Sequence, residues 1–247
     1  MMQQENRTHD RLHGRMAAGG IAFMLAALIY VGTEAISAAA WHNPPYDYAY
    51  NYISDLGVAR SLTVDGREIL SPLAAVMNFG FQAHGLLFVL GYVLALPLLR
   101  GKWGRLACAA AVVHGIGNFM VGYFPGESYD GVSPHVVGAG LAIVGGNLAL
   151  ILAGLSLRRR SAAEIDGRGR AASGRLLRFG PRLSVLGIGL GSLGLAALAL
   201  MVTRVLGHPA VFERLSVYTM TAWDLSFGFC LLAACVTESR RATGRQK

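Results

Sequence analysis

LSVLGIGLGSLGLAALALMVT, residues Leu183–Thr203, runs without a single charge from Arg182 to Arg204. At 1.5 Å rise per residue, a helix of this stretch crosses the roughly 30 Å of hydrocarbon in a bilayer. Five further stretches are long and apolar, with Glu34 and Asp224 their only charges: Met16–Trp41, Leu73–Leu99, Leu106–Tyr123, His135–Leu157 and Leu215–Thr237. A soluble chain of 247 residues with 53% hydrophobic content would spread its apolar residues in amphipathic patterns. Here they are concentrated in six blocks, which is the pattern of membrane spans. The fold class that follows is all-α: a polytopic membrane bundle of six transmembrane helices.

Charge orients the bundle. Of 22 Lys and Arg residues, 18 flank the spans on one side: Arg7, Arg11 and Arg15; Arg100, Lys102 and Arg105; the segment Arg158 to Arg182; and Arg240 to Lys247. Only Arg60, Arg67, Arg204 and Arg214 fall on the other. The positive-inside rule then places both termini in the cytoplasm and the chain in the cytoplasmic (inner) membrane. The net charge of +8 is a topology signal of this kind. No basic stripe interleaves with aromatics, so nucleic acid is not an expected partner. Membrane lipids are, and a protein partner or homo-oligomer remains open. Arg outnumbers Lys twenty to two, which points to a GC-rich bacterial source. The three cysteines lie inside apolar runs, an arrangement unlike a disulfide framework. Ser37-Ala38-Ala39-Ala40 resembles a signal-peptide cleavage site, but the run before it is long enough to span, and span 1 is the reading adopted.

Between the spans, residues 1–15 and 238–247 read as cytoplasmic tails and 158–182 as a basic cytoplasmic linker. The first outer loop, His42 to Pro72, is the richest in signals. Asn43-Pro44-Pro45 must turn. Tyr46, Tyr48, Tyr50 and Tyr52 match the aromatic layer at headgroup level. Ile53-Ser54-Asp55-Leu56-Gly57 reads as a short helical turn with Ser54 or Asp55 capping it. Leu62-Thr63-Val64 and Arg67-Glu68-Ile69 flank Asp65-Gly66, a hairpin signal. The first loop is therefore expected to form a short hairpin/helix cap. The second outer loop, with Glu127 and Asp130, and the third, Arg204 to Arg214 with Glu213, carry turn residues and charges that read mainly as solvated. Small-residue rows on span 4 (Gly138, Ala142, Gly146) and span 5 (Gly187, Gly191) predict close helix packing. On span 3, Ala110, His114, Asn118 and Gly122 share one face.

Ionisable groups within hydrocarbon are costly and therefore informative. Glu34, His84, His114 and Asp224 stand out, the last three at similar depths near mid-membrane. A carboxylate there needs a partner, water or a proton, so Asp224 with His84 or His114 is the sharpest local expectation. These three are the candidate catalytic residues. Glu34, Asn78, Asn118, Ser54, Asp55 and His135 are candidates for substrate binding, while Gln82 and Asn147 read as hydrogen-bonding partners between helices. Three histidines and a carboxylate are also a zinc-ligand set, but each lies on a different segment and no metal is assigned. No Walker loop, GxSxG, HExxH or paired CxxC occurs, so no soluble-enzyme motif is present and the cofactor is unknown.

Tyr52-Ile53-Ser54-Asp55-Leu56-Gly57, Asn78, His84-Gly85, Phe124-Pro125, His135 and Glu213-Arg214 together resemble the bacterial and archaeal membrane proteins catalogued as domain of unknown function 998. The likeness runs from span 1 to span 6. It implies a six-span helical fold and brings no established activity or catalytic residue. A more distant comparison is with intramembrane metal hydrolases of the alkaline ceramidase type, whose residue types Ser54, Asp55, His84, His114 and His135 supply. This chain has six spans where that group has seven, lacks its paired-histidine helix motif, and carries its Ser-Asp in a loop.

Three function classes follow: an envelope accessory protein binding lipid or a partner through its outer face; an intramembrane enzyme, with or without a metal, acting on a lipid-like substrate; and a small proton-coupled transporter. The first leads. A transporter would need the buried polar cluster to reach both sides, whereas a dry cytoplasmic half would leave an outward-facing site only.

Overall fold

The computed structural model describes residues 2–64, 66–99, 101–126, 132–165 and 176–244. Asp65 of the expected turn, Glu127 and Asp130 of the second loop, and residues 166–175 of the basic linker lie outside the described residues. Among the described residues there are six α-helices: α1 (Met2–Ala39), α2 (Ala74–Ala95), α3 (Gly101–Tyr123), α4 (Pro134–Ile165), α5 (Leu176–Thr203) and α6 (Pro209–Gly244). All six are long and apolar enough to cross a membrane. Two short strands, β1 (Leu62–Val64) and β2 (Arg67–Ile69), and one 3-10 turn at Ser54–Gly57 form the connection between α1 and α2.

Several helices overrun their apolar stretches. α1 starts at Met2, so residues read as a tail continue the helix. α4 runs to Ile165, into the segment read as a linker. α6 begins at Pro209 rather than near Leu215, because proline suits the first position of a helix, where its missing N–H leaves no hydrogen bond unmade. This change matters most: it moves Glu213 and Arg214 from a solvated loop into the opening turns of a spanning helix.

The helices pack in chain order as a ring, α1 beside α2 and so on to α6, with α6 closing against α1. α4 also touches α6 across the ring, which leaves α5 at the periphery. Small residues permit the close contacts, as expected. A Cβ on Gly138 would lie 3.1 Å from the Gly117 carbonyl of α3, and one on Gly187 would lie 2.9 Å from the Leu150 carbonyl of α4.

The hairpin register pairs Leu62 with Ile69, Thr63 with Glu68 and Val64 with Arg67. Gly66 sits at φ +75°, the left-handed conformation a tight hairpin turn needs. Ile69 is buried, and the Ser71 N–H donates to the Val58 carbonyl at 2.9 Å, tying the hairpin to the 3-10 turn. Ile53, Leu56 and Val58 are buried too, so this loop is a packed cap over one end of the bundle.

Candidate functional site

Below the cap, four helices each contribute one link to a buried polar chain. His84 of α2 places Nε2 3.1 Å from Asp224 Oδ2 of α6. Its Nδ1 lies 3.3 Å from Nε2 of His114 on α3. His114 Nδ1 is 2.7 Å from the Ala142 carbonyl of α4. Asp224, His84 and His114 are 0%, 1% and 1% exposed, so water does not compete for these bonds. His114 fits because residue 146 is glycine; a Cβ there would stand 2.7 Å from its Nδ1.

The carbonyl at the end of the chain fixes every proton along it. A carbonyl only accepts, so His114 carries its hydrogen on Nδ1 and its Nε2 is an acceptor. His84 must then donate from Nδ1. That leaves His84 Nε2 facing Asp224 with one proton between them, held either as a carboxylic acid beside neutral imidazole or as carboxylate beside imidazolium. Both forms carry zero net charge, the tolerable state in hydrocarbon. Asn118, one turn along α3, rests its Nδ2 against the His114 ring, 2.9 Å from Nε2 and 3.4 Å from Nδ1, and donates to the His114 carbonyl at 3.2 Å.

The chain borders a cavity on its cap side. The walls include His84, His114 and Asn118, with Tyr30, Phe81, Ser54 of the cap and Glu213 of α6. The cavity has about 40 Å³ of room for the centres of water-sized molecules. On the opposite side the bundle is filled with aromatic rings. Phe88 follows His84 by one turn, its ring centroid 4.3 Å from His114, and Tyr92 lies 4.9 Å beyond it. Phe23 packs 5.3 Å from Tyr92 and from Phe227, which stacks on Trp223 at 4.9 Å.

The cap is fastened by Arg214. Its Nη1 donates to the Tyr48 and Asn51 carbonyls, each at 2.7 Å, and its Nη2 bonds the Tyr46 hydroxyl. Its Nε faces Glu34 Oε1 of α1 at 3.5 Å, while Tyr218 donates to Glu34 Oε2 at 2.9 Å. Burial pushes the Tyr46 hydroxyl above the usual tyrosine range even with Arg214 beside it, so it remains a donor to the Tyr52 carbonyl at 2.9 Å. Next to Arg214, Glu213 Oε2 accepts the Ile53 N–H at 2.6 Å. Asp55 accepts the Tyr52 N–H at 2.9 Å and pairs with Arg67; burial nevertheless holds its carboxyl above its ordinary value. Ser54 makes no capping bond.

The sequence-expected residues thus divide. His84, His114 and Asp224 meet, and Asn118 and Ser54 share the cavity with the two histidines. Glu34 and Asp55 hold the cap, as does Asn78, which donates to the Gly57 carbonyl at 2.9 Å. His135 bonds the Phe124 carbonyl at 2.8 Å, away from the chain. Asn147 is interhelical glue, bonded to Ser216 and Thr219 of α6. Glu213 and Arg214 were the residues sequence reasoning undervalued; Pro209, read as a helix start, was the available signal. Among the described residues no group of three His, Cys, Asp or Glu side chains is placed to hold a metal. The two histidines and Asp224 run end to end instead of converging on a point.

No curated protein and no solved structure matches this chain. Residues 24–230 match the family described as "Protein of unknown function (DUF998)", and with most of its length covered the chain belongs to the DUF998 family.

Proposed function

We propose that this protein binds a small polar group, on a lipid or an envelope solute, in the cavity under its cap, and that binding shifts the proton held between His84 and Asp224. The observation that carries the reading is the His114–Ala142 bond, which leaves one mobile proton at the His84–Asp224 contact beside the cavity. The aromatic block formed by Phe23, Phe88, Tyr92, Trp223 and Phe227 supports a one-sided site over a path through the membrane. The end-to-end histidines support binding with a proton shift over metal-assisted hydrolysis. Cationic residues cluster on the side away from the cap, so the cap faces outward and both termini lie in the cytoplasm of the inner membrane.

Infrared difference spectroscopy tests the proton. Wild type and Asp224→Asn are reconstituted in inert detergent, then exposed to a polar-lipid extract of the host membrane. A carboxyl band that shifts in wild type and is missing from Asp224→Asn is expected. An Asp224 band indifferent to the extract defeats the proposal.

A further inference from the structure

The same proton reasoning identifies what the cavity recognises. A carbonyl only accepts, so the Asn118 amide turns its NH₂ toward the His114 carbonyl at 3.2 Å and rests it against the His114 ring, 2.9 Å from Nε2. The Asn118 Oδ1 therefore points away from His114, on a cavity wall and without a hydrogen-bond partner among the described residues, from a side chain only 4% exposed. Glu213 Oε2 is occupied by the Ile53 N–H. Its second oxygen has no hydrogen-bond partner among the described residues, and the guanidinium beside it, Arg214, is committed to Tyr46, Tyr48, Asn51 and Glu34. The Ser54 hydroxyl lines the same space. Both nitrogens of His84 and of His114 are engaged in the chain.

The polar atoms left for a ligand are thus two amide or carboxyl oxygens that accept and two hydroxyls, of Ser54 and Tyr30, that can. One of them belongs to a carboxyl group. The rings of Tyr30 and Phe81, with centroids 5.8 Å apart, form apolar walls of a kind that attract cations. We propose that the cavity is a site for a primary ammonium group, whose three N–H donors match Glu213, Asn118 and Ser54. Room of about 40 Å³ for the centres of water-sized molecules accommodates –NH₃⁺ with its first methylene, whereas a trimethylammonium head, having no N–H, leaves these acceptors unmet. This assignment rests on the proton-shifting reading of the cavity and names its ligand; the amine is either a free solute or a lipid headgroup.

Thermal unfolding of the full chain in detergent tests it at fixed pH and ionic strength. Ethanolamine hydrochloride should raise the Tm of wild type, whereas choline chloride and potassium chloride should not. Glu213→Gln should weaken the apparent affinity roughly 10- to 100-fold, the loss of one charge-assisted hydrogen bond. Glutamine can still accept the Ile53 N–H, so its cap should resist protease as wild type does; Ser54→Ala, a milder change, should weaken binding less. Native mass spectrometry from vesicles distinguishes the sources. Retention of phosphatidylethanolamine over phosphatidylcholine means a lipid-borne amine; an ethanolamine response without it means a free one. Equal responses to choline or potassium, an unchanged affinity in Glu213→Gln, or no response to either amine source overturns the assignment. If Asp224 still answers the lipid extract in the infrared while amines do nothing, the proton shift stands and only the ammonium assignment fails.

Discussion

Arg214 Nε lies 3.5 Å from Glu34 Oε1, and both side chains are buried where α6 meets α1 beneath the cap. The remaining guanidinium nitrogens bond the cap itself, so one side chain joins two helices and a loop. Removing it leaves Glu34 without its cation and two loop carbonyls without donors. Arg214→Ala should destabilise the protein by about 3–5 kcal/mol. Glu34→Gln combined with Arg214→Met should recover part of that loss, because no charge is then stranded. Chemical denaturation in detergent measures both; an additive double mutant would mean that the two side chains do not interact.

The proton chain predicts an order of stabilities at position 224. Asparagine can donate to neutral His84 and keep the buried bond, whereas alanine leaves His84 Nε2 unsatisfied at a cost of about 1–3 kcal/mol. Asp224→Asn should therefore stay close to wild type in Tm, with Asp224→Ala clearly below it. Equal Tm values for the two variants would contradict the contact.

Close packing between α3 and α4 can be tested with glycine. A Cβ on Gly117 would lie 2.5 Å from the Gly138 carbonyl, a backbone atom that cannot swing aside. Gly117→Ala should cost about 1–3 kcal/mol through overpacking. Gly189 of α5 has nothing within 4 Å of the corresponding position, so Gly189→Ala should be neutral or slightly stabilising. The comparison is made by thermal unfolding under one set of detergent conditions.

Asp55 gives the cap a pH dependence. Burial raises its carboxyl above the ordinary 3.8, with Arg67 and the Tyr52 N–H pulling the other way. A group whose pKa rises on folding contributes stability that is complete below its unfolded value and is lost as pH climbs through the folded one. Protease nicking in loop 42–72 should thus be slowest near the low end of that window and quicken as pH rises, with Asp55→Asn flattening the trend. The reverse slope would show the Arg67 pair prevailing over burial.

Orientation is tested by labelling intact cells with an impermeant thiol reagent, after Cys108, Cys230 and Cys235 have been replaced. Ser61→Cys in the cap should label and Ser161→Cys in the basic segment should not. The opposite pattern would invert the bundle.

Hydropathy located all six spans, the charge asymmetry proposed their direction, and turn chemistry gave the hairpin at Leu62–Ile69. Depth was legible as well, since counting at a fixed rise per residue put His84, His114 and Asp224 at one level. Which of these side chains meet was not. A helix in lipid is apolar on its inner and outer faces alike, so apolar residues fix how far along its axis a residue lies but not the direction it points or the neighbour it faces. The packed bundle supplied that rotation. It chose His84 over His114 as the partner of Asp224, set Asn118 and Glu213 around one cavity, and turned Arg214 from a loop charge into the fastening of the cap.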